Sequence, residues 1–171
     1  ESSGEVKNFS PSIIKNGSLT YSFLQGNVFF VCLGEDPSAS YLESQLQKSE
    51  AQNADFRVIF HHVPVYSGGE HGAAGISSIE KICDKYNVTF SFAGHDHHYE
   101  RTKLIYNGKS SYSGTIVPAN TKGTTYIVTG GAGAPLYSAS SKWWTDMMQK
   151  KNHYCVLTSY RDRIEMVVKD K

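Results

Sequence analysis

Two apolar and β-branched runs, Leu19-Thr20-Tyr21-Ser22-Phe23-Leu24 and Asn27-Val28-Phe29-Phe30-Val31-Cys32-Leu33, flank the dipeptide Gln25-Gly26. This pattern predicts a β-hairpin. Residues 1–18 are polar, rich in Ser, Gly and Asn, and read as a lead-in loop. Beyond the hairpin, a turn-rich stretch over Gly34–Ser40 leads to a predicted helix capped by Ser40 and running to about Gln52. Leu42 and Leu46 share one face of it. Phe56–Phe60 is a short apolar run and predicts a buried strand, which ends in His61-His62-Val63-Pro64-Val65-Tyr66 and a glycine-containing loop over 67–75. The spacing of Ile76, Ile79 and Ile82 predicts a helix ending near Asn87, and Val88–Ala93 predicts a strand that runs into Gly94-His95. Tyr99–Tyr106 and Thr124–Thr129 read as further strands, the second closed by Gly130–Pro135. The tail alternates over His153–Thr158 and Arg163–Lys169 around the turn Ser159–Asp162.

Strands that alternate with helices predict a layered α/β sheet, and the β-rich end predicts a second sheet packed on the first. Residues 19–171 read as one domain or a piece of one, a length that can bury a core. With 39% hydrophobic and 19% charged residues, the chain falls outside the disordered class. Its longest apolar run, around Val28–Leu33, is far too short to span a bilayer, so no membrane span is expected. A net charge of +1 with scattered Lys and Arg argues against nucleic acid as a partner. The three cysteines include no Cys-x-x-Cys, which excludes a thiolate zinc site, and Cys32 and Cys155 read as small hydrophobes in strands. Asn8-Phe9-Ser10, Asn16-Gly17-Ser18 and Asn87-Val88-Thr89 are N-glycosylation sequons and point to a secreted or lumenal protein.

Candidate chemistry rests on histidine placement. His62 follows one buried strand, and His95 and His97 follow the next, so both deliver imidazoles to the carboxyl edge of the sheet, where open α/β sheets bind ligands. Alternation in extended backbone turns His95 and His97 the same way, toward one ion or two adjacent ones. Gly94 is expected to make the sharp turn before them, and Pro64 to stiffen the loop after His62. A single strand-end histidine is ordinarily satisfied by backbone; the combination is what points to a metal such as zinc, iron or manganese. Gly130–Pro135 lacks a Gly-Lys-Ser/Thr ending and reads as a tight loop near the site rather than a phosphate cradle.

Val58–Ser67 and Gly94-His95-Asp96-His97-His98-Tyr99-Glu100-Arg101 resemble the last two metal motifs of the calcineurin-like metallophosphoesterases. The second run is similar to the Gly-His-x-His-x-Tyr-Glu-Arg signature of the purple acid phosphatase branch. The hairpin around Gly26 and the segment Gly123–Tyr137 resemble the same branch, so the likeness extends over about Leu19–Val168. The resemblance implies an α-β-β-α fold, a layered β-sandwich flanked by helices, and hydrolysis of a phosphoester substrate at two divalent or trivalent ions (iron, zinc or manganese). It implies that His62 and His95 bind the second ion and His97 the first. His71 would face the substrate as general acid or phosphate ligand; an ordinary exposed loop histidine is the competing reading. His61 is expected to point away from the site. Asp96 and His98 stand beside the ligands, where they could orient an imidazole. Tyr99-Glu100-Arg101 is expected to serve packing and salt bridges, and His153 to lie far from the motif.

The family's carboxylate motifs, of the type Gly-Asp, Gly-Asp-x-x-Tyr and Gly-Asn-His-Glu, do not occur in the sequence. Imidazoles cannot supply the bridging carboxylate that two ions require. The chain therefore reads as the C-terminal half of a metallophosphoesterase domain, with the N-terminal half expected as another segment or another chain. A catalytically inactive relative serving as a binding or structural protein is the alternative. A half-domain is also expected to present an apolar sheet face to its missing half.

Overall fold

The structure, a computed structural model, describes residues 6–13, 19–35, 37–72, 77–118 and 120–170. The predicted hairpin is present as β2 (Leu19–Gln25) and β3 (Val28–Cys32), turned at Gly26, whose φ of 58° suits a residue without Cβ. Part of the expected lead-in loop is instead a strand, β1 (Val6–Ile13), antiparallel to β2. An edge strand has one hydrogen-bonded neighbour and forms without the apolar run that announces a central strand. Residues 1–5 and 14–18 lie outside the described residues.

Ser38, not Ser40, caps the first helix: its hydroxyl accepts from the backbone N–H of Tyr41 at 3.3 Å. The expected single helix is two, α1 (Ala39–Leu46) and α2 (Ser49–Asn53), because Lys48 between them is extended, with ψ 148°. There follow β4 (Phe56–His61), α3 (Ser77–Tyr86) and β5 (Phe90–Ala93). Ile79 and Ile82 lie on the buried side of α3, while Ile76 is outside the described residues. Asn87 ends the helix in left-handed backbone, φ 50°.

The predicted strand over Tyr99–Tyr106 is two, β6 (Tyr99–Thr102) and β7 (Leu104–Tyr106). Then come β8 (Lys109–Tyr112), β9 (Thr125–Thr129), β10 (Thr145–Gln149), β11 (His153–Ser159) and β12 (Ile164–Asp170). The large sheet runs β1-β2-β3-β4-β5-β9-β6-β10, and β3, β4, β5 and β9 are parallel neighbours.

Its parallel centre is covered by helices on one face and in part by the β11–β12 hairpin on the other, so its strands read as nearly continuous apolar runs. On one face Phe29, Val31 and Ile59 meet Leu42 and Leu46 of α1 and Ile79 and Cys83 of α3. On the other, Val28, Val58, Phe92 and Ile127 meet Leu157, Ile164 and Met166 of the β11–β12 hairpin, the second sheet expected from the β-rich tail. No helix among the described residues is long and apolar enough to cross a membrane.

Candidate metal centre

Strands β4 and β5 end side by side, with His61 opposite Ala93, and the N–H of Gly94 donates to the carbonyl of His62 at 3.1 Å. Just past these ends His62 Nε2 and His95 Nδ1 lie 3.2 Å apart, their rings edge-on. The contact is a hydrogen bond between the two rings, and its length is close to the roughly 3.4 Å that would separate two imidazole nitrogens bound to one tetrahedral ion at about 2.1 Å. The turn that presents them is not made by Gly94. His95 itself takes the left-handed conformation, φ 63°, a strained choice for a side chain of this size and one that concentrates at functional sites.

The other two predicted residues join the pair through aromatic contacts. The His71 ring lies 4.8 Å from His95 and 5.2 Å from Tyr137, and Tyr137 stacks on His97 at 4.1 Å. His97 Nδ1 donates to the carbonyl of Pro135 at 2.8 Å, which leaves the lone pair on Nε2. Ligating histidines are commonly held in this way. His62 and His71 are exposed and His95 and His97 half-buried.

Behind this row lies the other side of the same run. Residues 95–98 are a series of tight turns rather than the extended backbone expected, with the Asp96 N–H donating to the Gly94 carbonyl and the His98 N–H to that of Asp96. Asp96, His98 and Glu100 are all fully buried. Asp96 accepts from the Ser67 hydroxyl and from both the backbone N–H and Nδ1 of His71. Burial alone would raise its pKa, but these hydrogen bonds hold it below the usual carboxylate range. Glu100 accepts from the Gly68 N–H at 2.7 Å, Thr145 Oγ1 at 2.7 Å, Trp144 Nε1 at 3.1 Å and His98 Nε2 at 3.3 Å. Its pKa too, raised by burial, is brought below the ordinary value by its donors. Arg101 pairs with Asp146, as the structural reading of Tyr99-Glu100-Arg101 expects. His61 is buried against Ser91 Oγ and the Val63 carbonyl, away from the row, and burial pushes its pKa down to about 4.

Among the described residues no group of three or more His, Cys, Asp or Glu side chains is arranged to hold an ion. The imidazoles fit the histidine share of a metal centre. Asp96 and Glu100 are spent on buried donors and do not fit its carboxylate share.

Tyr137, which links His71 to His97, was not among the candidates, since no spacing rule marks a loop tyrosine 40 residues downstream. His153 is not remote: its ring packs edge-on against Tyr99 at 5.2 Å, and its Nε2 meets Thr129 Oγ1 at 3.0 Å. The Gly130–Pro135 loop does pass close to the site. A Cβ on Gly130 would stand 2.3 Å from the carbonyl oxygen of Asp96. Gly130→Ala is therefore expected to lower stability by about 1–3 kcal/mol, read from the midpoint of thermal or urea unfolding.

No family model matches the sequence. The chain is 42% identical over 102 residues to the protein named probable inactive purple acid phosphatase 27 of Arabidopsis thaliana, a match covering 50% of this chain and 16% of that protein. It is 25% identical over 173 residues to Fe(3+)-Zn(2+) purple acid phosphatase 12 of the same plant, covering 88% of this chain and 36% of that one. Among solved structures, purple acid phosphatase PPD1 from yellow lupin (Lupinus luteus) seeds matches with a TM-score of 0.81 and 21% identity, over 92% of this chain and 31% of that one. The mixed α/β architecture with its large central sheet is that of the C-terminal portion of the purple acid phosphatase fold. Over part of its length, the chain is thus similar in sequence and in fold to purple acid phosphatases, and it spans well under half the length of the relatives it matches.

Proposed function

We propose that this chain contributes the histidine share of a two-metal phosphoesterase site, acting within a larger protein or complex. The observation that carries the reading is the 3.2 Å approach of His62 Nε2 and His95 Nδ1 at the ends of two paired parallel strands. In this reading the two hold one ion and His97, through Nε2, holds the other, and iron, zinc or manganese are the candidate metals. The printed name of the Fe(3+)-Zn(2+) relative supports a mixed pair. Such ions neutralise charge on a transferring phosphoryl group and acidify bound water. His71 works beside them, as proton donor to the leaving group or as a hydrogen-bond partner of phosphoryl oxygens.

The remaining ligands are proposed to come from an N-terminal half. A row of stacked rings supports a partner on the hairpin face of the sheet. Phe23, Phe30, Phe60 and Phe92 follow one another across four strands at 4.8, 6.1 and 5.4 Å. Phe60 is 37% exposed although it sits in a central strand. Passage through a secretory compartment fits the exposed Asn87 of one sequon. Asn16 of another lies outside the described residues, and Asn8 of the third falls in β1.

A catalytically inactive binding or structural protein is the second reading, favoured by the printed name of the 42%-identical relative. Metal analysis and hydrolysis of a chromogenic phosphomonoester by the complete protein decide between them. Two ions per protein with turnover support the phosphoesterase. Ions without turnover support the inactive reading, and a complete, folded protein that holds no ions sinks both metal assignments.

A further inference from the structure

We infer that Asp96 is a positioning residue for His71. From behind the histidine row it fixes this imidazole as the Nδ1–H tautomer, with the lone pair on Nε2 at the open side. The catalytic consequence rests on the phosphoesterase reading, but the tautomer does not.

The geometry is that of a loop seated on a carboxylate. Asp96 has no exposed side-chain surface, whereas the His71 side chain is 45% exposed. One carboxylate oxygen, Oδ1, lies 3.1 Å from the backbone N–H of His71 and 3.0 Å from its Nδ1. The other accepts from the Ser67 hydroxyl, which itself accepts from the Gly69 N–H at 3.0 Å. Gly69 has no room for a side chain: a Cβ would stand 2.5 Å from Asp96 Cγ and 2.7 Å from His98 Cε1. Both ends of the turn that carries His71 are thus tied to one carboxylate.

An ionised carboxylate can only accept, so the nitrogen facing it must carry the hydrogen, and the neutral ring keeps its lone pair on Nε2. The same contact sets the ring plane beside His95 and Tyr137. A loop histidine without such a partner would exchange tautomers and rotamers freely. A carboxylate that orients an imidazole and selects its tautomer is a recurring device in acid–base sites, where its loss leaves the fold intact and misplaces the proton.

The test is long-range 1H–15N NMR on the metal-free complete protein labelled with 15N-histidine, at pH about 8.5, roughly two units above the ordinary histidine pKa. The expected wild-type spectrum shows His71 with a protonated Nδ1 and an unprotonated Nε2. Asp96→Asn keeps an acceptor oxygen for His71 and is expected to retain this pattern. Asp96→Ala is expected to convert His71 to a mixture in exchange, while the buried His61 keeps its own signals and reports an intact fold. A wild-type His71 protonated on Nε2 overturns the inference, as does an unchanged His71 in Asp96→Ala with His61 intact. If Asp96→Ala does not fold, the wild-type tautomer together with its retention in Asp96→Asn decides.

In the complete protein, Asp96→Ala is expected to lower kcat about 10- to 100-fold with KM little changed, and Asp96→Asn to restore most of it. Equal losses of kcat in Asp96→Ala and Asp96→Asn would remove the positioning role. A protein that hydrolyses no phosphoester but shows the expected tautomer would defeat the functional reading alone.

Discussion

Replacing Glu100 with alanine is expected to lower the stability of the folded chain by about 3–5 kcal/mol, the largest single effect outside the apolar core. The side chain is fully buried, and its removal leaves the Gly68 N–H, Trp144 Nε1, Thr145 Oγ1 and His98 Nε2 without their acceptor. These donors belong to the loop after β4, to the residues leading into β10, to β10 itself and to the run beyond β5. One carboxylate therefore holds partners up to 45 residues away from it along the chain. Glu100→Gln retains an acceptor oxygen but turns a donor toward other donors, and an intermediate loss is expected. Because the folded-state pKa of Glu100 is below its ordinary value, its contribution is complete above the ordinary carboxylate range and fades as pH falls through the folded value. Urea unfolding of wild type and Glu100→Ala at neutral and acid pH measures both expectations. A variant as stable as wild type at neutral pH, or with the same acid sensitivity, contradicts them.

The opposite pattern is expected in front. His62→Ala and His95→Ala should change stability by less than about 1 kcal/mol, since the His62 ring is exposed and the His95 ring half-buried. In the complete protein each should remove an ion and lower phosphoester hydrolysis by at least about 100-fold. The double variant should be little worse than either single one, because both rings are assigned to the same ion. Metal content and turnover, measured beside the unfolding midpoint, check this. Independent, additive losses would assign the two rings to separate ions.

The histidine row was legible from the chain because strand ends are legible: Phe56–Phe60 and Val88–Ala93 announce themselves by continuous apolar character, and the imidazoles follow directly. His95 and His97 do end up more exposed than Asp96, His98 and Glu100, but through tight turns around a left-handed His95 rather than through strand alternation. What the inward side holds was not legible. Its partners are backbone N–H groups of residues 68 and 71 and side chains of residues 67, 144 and 145, and no local pattern brings these to a carboxylate. Strands β1, β8 and β10 escaped for a related reason. Pairing formed them where local sequence was mostly polar, as in Lys109–Tyr112. His95 carries the left-handed turn assigned to Gly94, a choice that tertiary constraints impose on a residue sequence rules would spare.

That left-handed backbone bears on how such a domain can drift. Asparagine enters this conformation more readily than most residues, so a change of His95 to Asn would erase a proposed ligand while suiting the turn. The exposed His62 could be exchanged with little penalty to folding. On the proposed reading, chemistry could therefore be shed by descendants whose architecture is untouched, because the proposed ligands are the exposed or half-buried residues and those that hold the run in place are buried. In such a lineage, the inward Asp96 and Glu100 would outlast the activity and would be poor markers of it. The outward imidazoles would be the informative ones.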